Sequence, residues 1–142
     1  MKKIVWLACA VVGLIGSASA RESKGVKTPA IVKEALSKKY PNAKKVTWET
    51  EKGNFEANWG GKSGEDTSVM FTPSGKFVEE VDAIAVSRLP ASVFDYVKKH
   101  YKGTKVKEAG RITDAVGKKM FEAEIKGKDL VFDENGKFLK ID

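Results

Sequence analysis

The seven residues FTPSGKF at Phe71–Phe77 return as FDENGKF at Phe132–Phe138, 61 positions later. A chain that writes one phrase twice at a fixed offset is read as two copies of one structural unit. The offset holds outward from the phrase. PAIVKEALSKKY opens at Pro29 and PASVFDYVKKHY at Pro90, again 61 apart. Both have helical periodicity. Ile31, Val32, Ala35, Leu36 and Tyr40 make the first apolar stripe, and Leu89, Val93, Tyr96, Val97 and Tyr101 the second. Proline suits a helix's first turn, where its missing N–H is no loss. Thr28 and Ser87 are the expected N-caps. Pro41 stops the first helix and Gly103 the second.

Strand-like alternation follows each helix. In the first copy it covers Lys44–Thr50, Asn54–Trp59, Thr67–Thr72 and Lys76–Asp82; in the second, Lys105–Thr113, Lys119–Lys126, Asp129–Phe132 and Lys137–Ile141. Asn135-Gly136 reads as a two-residue hairpin, because both residues tolerate positive φ. The recurring phrase is thus the last hairpin of a helix-plus-four-strand unit, its two Phe residues plugging the core. The fold class expected is α+β: two tandem units, residues 28–82 and 87–142, forming one curved antiparallel sheet with helices packed on one face. NFEANW pairs with MFEAEI at an offset of 66, so the copies differ in the loops Gly60–Asp66 and Gly110–Lys118. Loops tolerate insertion, and they also carry function.

The amino terminus reads as an export signal. Lys2 and Lys3 precede an apolar run from Ile4 to Ile15, and Ala18-Ser19-Ala20 offers a cleavage site. Residues 1–20 are the expected signal and 21–27 a flexible lead-in to a domain over 28–142. No transmembrane segment is expected after cleavage. Cys9 is the only cysteine and leaves with the signal, so the mature chain has no disulfide or thiol nucleophile. The net charge of +7 loses two lysines with the signal. The remaining lysines are scattered, and a Lys-over-Arg bias lacks the forked donors that read bases, so nucleic acid is not an expected partner.

The ordered phrases YPNAKKVTWETEKGNFEANW, FTPSGKFVEE, SRLPASVFDYVKKHY and FDENGKF resemble the PepSY-like family of exported bacterial proteins, which is similar to beta-lactamase inhibitor protein. The resemblance runs from about Pro29 to Lys140. It implies tandem helix-plus-sheet modules and a binding or inhibitory role without catalysis, in the periplasm or secreted. It supplies no catalytic motif.

The residues themselves point the same way. His100 is the single histidine and sits late on the second helix, where a structural role fits better than a triad. One His without Cys is a poor metal set, so no metal or cofactor is expected. DENG lacks the ligand spacing of a calcium loop, and GGKS lacks the glycine spacing of a phosphate loop. Trp48 and Trp59 alternate with Val46, Phe55 and Ala57 as core. The opposite face shows Glu56, Asn58, Glu122 and Glu124. Met70, Val78, Val131 and Leu139 break the alternation there, either covered or forming an exposed apolar patch with a carboxylate rim. These eight are the candidate binding residues. A dimer partner, the two units or the amino-terminal tail are the candidate covers. The function expected is an exported, non-enzymatic binder of an envelope or secreted protein or peptide. The alternative is a periplasmic binder of a small anionic ligand or envelope polymer.

Overall fold

The computed structural model describes residues 26–142; the expected signal 1–20 and most of the lead-in 21–27 lie outside the described residues. Helix α1 spans Ala30–Lys39 and is followed by strands β1 (Thr47–Glu51), β2 (Asn54–Trp59), β3 (Thr67–Phe71) and β4 (Phe77–Ile84). A short 3-10 turn at Val86–Arg88 leads to helix α2 (Ala91–His100) and to β5 (Glu108–Asp114), β6 (Lys119–Ile125), β7 (Lys128–Asp133) and β8 (Phe138–Ile141). The strands form one antiparallel sheet in sequence order, and β1 and β8 are its unpaired edges.

Each helix packs its stripe onto its own part of the sheet. Val32 and Leu36 of α1 meet Ala57, Val69 and Phe71, with Trp48, Phe55 and Trp59 half-buried around them. Val93 and Val97 of α2 meet Ala109, Ala123, Ile125, Leu130 and Phe132. Phe132 is fully buried and stands edge-on to Tyr96 and Phe138, at centroid distances of 5.5 and 5.8 Å. Phe71 stands edge-on to Phe77 at 6.2 Å. The two phrases therefore do the same job under two helices. Leu89, ahead of α2, is buried too. Ile31 is not part of its stripe: it is half exposed, because α1 turns only Val32 and Leu36 fully inward.

The helix starts differ from expectation. Pro29 and Pro90 themselves occupy the N-cap positions, at φ −58° and −55°, and neither helix has a side-chain cap. Thr28 instead bonds back to the Val26 carbonyl at 3.4 Å, and Ser87 lies inside the 3-10 turn. The rigid ring fixes the entry angle with no hydroxyl required.

The hairpin chemistry also differs. Asn135 does not have positive φ; only Gly136 does, at 78°. The turn instead runs from Asp133, whose carbonyl accepts from Gly136 N–H while its side chain accepts from Asn135 and Lys137 N–H, each at 2.9 Å. This is a type I turn closed by a left-handed glycine. Asp114 builds the same turn with Val116, Gly117 and Lys118. Thr72 does so with Gly75 and Lys76. The shared pattern is an oxygen-bearing side chain, two residues, then Gly-Lys.

Gly110–Lys118 is consequently not a loop. Gly110 to Asp114 are strand, and only the tight turn lies beyond them. Gly60–Asp66 is a loop as expected, with Gly60, Gly61 and Gly64 at positive φ. A Cβ on Gly61 would fall on the Asp66 carboxyl.

Candidate functional site

Strand register sorts the side chains into two faces. Phe55, Ala57 and Trp59 of β2, with Val69 and Phe71 of β3, face the helices. The other side carries Glu49 and Glu51 of β1, Glu56 and Asn58 of β2, Ser68 and Met70 of β3, and Glu79 and Val81 of β4. It continues with Glu108, Gly110 and Ile112 of β5, Met120, Glu122 and Glu124 of β6, and Asp129 and Val131 of β7. No helix among the described residues packs on this second face.

The helix-free face is the inside of a curl. Seven inter-strand gaps of about 4.8 Å would hold the edges of a flat sheet about 34 Å apart. Yet Lys52, in the turn after β1, reaches Asp142, just past β8, at 3.3 Å. The sheet is rolled but not closed, since β1 and β8 do not pair. Carboxylates from distant strands therefore sense one another: Glu51 and Asp142 act on Asp129, and Glu108 acts on Glu65 in the β2–β3 loop.

At the centre Val81, Ile112 and Val131 form an apolar cluster with Met120 packed against it, and Met70 is buried as well. Met70 and Val131 thus do not form an exposed apolar patch. Val78 and Leu139 are placed differently. The register jumps from Met70–Glu79 to Phe71–Phe77, and from Val131–Lys140 to Phe132–Phe138. Val78 and Leu139 are the skipped residues, two bulges 61 positions apart. A bulge adds an unpaired residue, so the sequence alternation fails there without any second apolar face. Leu139 is 41% exposed. Of the eight candidate residues, six share the helix-free face in register and two mark bulges.

Polar burial is concentrated on the same side. Among the described residues, the buried polar side chains are Glu56, Asn58, Ser68, Glu122 and Asp129, and all five belong to this face. Ser68 donates its hydroxyl to Glu56 Oε1. Glu108 and Glu124 stand directly opposite across β5 and β6. Burial, then the Glu108 charge, raise the Glu124 carboxyl above its usual range, and Glu124 Oε2 is buried without a hydrogen-bond partner among the described residues. Burial, then Glu124, Asp142 and Glu51, push Asp129 up to about 6. Burial and neighbouring carboxylates raise Glu65 in the same way. Asp129 is the residue that sequence reasoning missed. In DLVF it looks like a strand start, and only the register turns it inward opposite Glu124.

Gly110 completes the surface. A Cβ there would approach Val81 Cγ1 to 2.7 Å and lie 3.7 Å from Glu122 Oε2, so glycine is what lets β4 and β6 side chains meet over β5.

His100 lies elsewhere. It is exposed on α2, and its ring stacks on Tyr96 at 4.3 Å. Among the described residues no group of three or more His, Cys, Asp or Glu is arranged to hold a metal ion, and no helix is long and apolar enough to cross a membrane.

No family model and no curated protein matches the chain. Solved structures do. A BLIP-like protein from Bacteroides fragilis superposes with a TM-score of 0.58 at 20% identity, covering 83% of this chain and 87% of that one. This chain has a BLIP-like fold. A DUF2874 family protein from Bacteroides ovatus gives a TM-score of 0.65 at 21% identity, over 83% of this chain and 89% of its own. A protein provisionally assigned to the periplasm of Bacteroides eggerthii gives 0.65 at 22% identity, over 81% and 88%. The BLIP-like likeness thus extends over most of each chain.

Proposed function

We propose that this chain is an exported, non-enzymatic binding protein that holds a protein or peptide against the helix-free face of its curled sheet. The observation that carries this is the burial of five polar side chains on that one face. Burying polar groups costs desolvation even where hydrogen bonds such as Ser68 to Glu56 offset part of it, and a fold optimised only for stability would place apolar side chains there. Such groups are retained where something has to be recognised.

On this reading the protein is PepSY-like and works in the periplasm or outside the cell after cleavage at Ala20. The periplasmic assignment of the Bacteroides eggerthii structure favours that compartment. The domain is two tandem units, 28–82 and 87–142; the paired helices, paired bulges and paired Phe plugs favour that division. The BLIP-like neighbour favours a protein partner over a metabolite. Glu56, Asn58, Glu122, Glu124, Met70 and Val131 contribute from the face, and Val78 and Leu139 by bending its two ends. The anionic-ligand alternative is disfavoured, because the strands place carboxylates on this face.

The test is capture from an envelope extract on immobilised residues 21–142, repeated with a Glu108→Gln/Glu124→Gln variant and a Lys98→Glu/Lys99→Glu variant of α2. A stoichiometric partner lost with the first variant and kept with the second supports the reading. A partner kept by the first and lost with the second refutes it.

A further inference from the structure

The chain carries a net charge of +7, yet the helix-free face has the opposite sign. Register places Glu49, Glu51, Glu56, Glu79, Glu108 and Asp114 on that side from β1 to β5, and Glu122, Glu124 and Asp129 from β6 and β7. No lysine or arginine of β1 to β7 shares it: Arg111, Lys119 and Lys128 pair on the helix side. Lys140 of β8 does lie on the face, and it is engaged with Asp142 at 3.3 Å. Like charges gathered inside a curl repel, and low-dielectric walls strengthen their field.

A second observation is independent of the charge count. The Asp129 side chain is 5% exposed, and burial and neighbouring charges, with no hydrogen bond among the described residues, set the state of its carboxyl. A buried carboxyl calls for a donor. A ligand held on the face can supply that donor. The two rims of the curl are the edges β1 and β8, whose outward backbone groups can pair with an extended chain. Half-buried Met120 adds a soft apolar contact beside the carboxylates. Backbone pairing and apolar contact suit a peptide and offer nothing to a bare polyamine.

We propose that the helix-free face recognises a lysine- or arginine-bearing peptide segment of another exported protein, with Asp129, Glu108 and Glu124 accepting its side-chain donors. This rests on the binding reading above and names the chemistry of the partner. Opposite charge gives such a site a fast, salt-sensitive encounter and rejects acidic partners.

The experiment is calorimetric titration of residues 21–142 with a short peptide alternating lysine and leucine, its glutamate–leucine counterpart, and spermidine. The lysine peptide is expected to bind, to weaken about tenfold from low to physiological salt, and to weaken again from pH 7.5 to pH 5 as Asp129 protonates. Glu108→Gln/Glu124→Gln should lower its affinity about tenfold, with an unchanged circular dichroism spectrum as the folding control. Asp129→Asn should remove the pH dependence. Binding of the glutamate peptide with equal affinity overturns the proposal, as does spermidine matching the lysine peptide. If the lysine peptide fails while the extract capture still maps to the face, the charge assignment falls and the binding reading stands.

Discussion

Lys52 Nζ lies 3.3 Å from Asp142 Oδ1, although 90 residues and the full width of the sheet separate them. The contact marks the curl and does not create it. Lys52 is mostly exposed, and exposed ion pairs are worth about 0–1 kcal/mol. Lys52→Ala should therefore shift the urea unfolding free energy by no more than about 0.5 kcal/mol. A larger loss would mean that the clasp holds the curl together.

Packing under the helices contributes far more to stability than this contact does. Phe71 and Phe132 are almost completely buried at equivalent places. Phe132→Ala and Phe71→Ala should each cost about 3–5 kcal/mol in denaturant unfolding. Because the two aromatic clusters sit under different helices, the double variant should be close to additive. Strong non-additivity would show that the clusters act as one.

Much of this was legible in the chain. The 61-residue offset located both helices, both Phe plugs and all eight strands, because period-2 alternation and Gly-containing turns are local signals. The limits of β2 were read to the residue. Three things were not legible. Val78 and Leu139 looked like a second apolar face because a bulge is a property of pairing, and one strand's sequence does not display it. Gly110 looked like a loop start because a strand glycine needed for close approach is written with the same letter as a turn glycine. Asp129 is not legible because its significance comes from burial and from Glu124, Asp142 and Glu51, which the strand register and the rolled sheet bring near it.

Gly110 gives a sharp packing test. Its added Cβ would come to 2.7 Å from Val81 Cγ1. Gly110→Ala should destabilise by about 1–3 kcal/mol through overpacking. Val81→Ala in the same chain should recover part of that loss, a coupling that a double-mutant cycle reads directly. Simple additivity would mean that the neighbour is not Val81.

The carboxylates give a pH test. The folded state raises the Asp129 carboxyl to about 6, chiefly by burial, so it holds a proton more tightly than the unfolded chain does. Stability is then full below the usual carboxylate range. It falls as pH rises from about 4 to about 6 and is level above that. Glu124 and Glu65 are raised as well and add to the same slope. Asp129→Asn should flatten much of it and gain about 1–2 kcal/mol at pH 7.5 after allowance for screening. Unfolding curves of wild type and Asp129→Asn at pH 4.5 and 7.5 check the sign; a variant whose gain over wild type is no larger at pH 7.5 than at pH 4.5 would contradict it.

The central claim is that the working surface is the helix-free face and not the helix layer. Amide chemical-shift mapping of isotope-labelled residues 21–142 with the lysine–leucine peptide tests it most directly. The account predicts saturable shifts at Glu108, Glu124, Asp129 and their neighbours on β5, β6 and β7, with α1 and α2 little changed. Shifts confined to Ala30–Lys39 and Ala91–His100, with the strand amides unmoved, would contradict it.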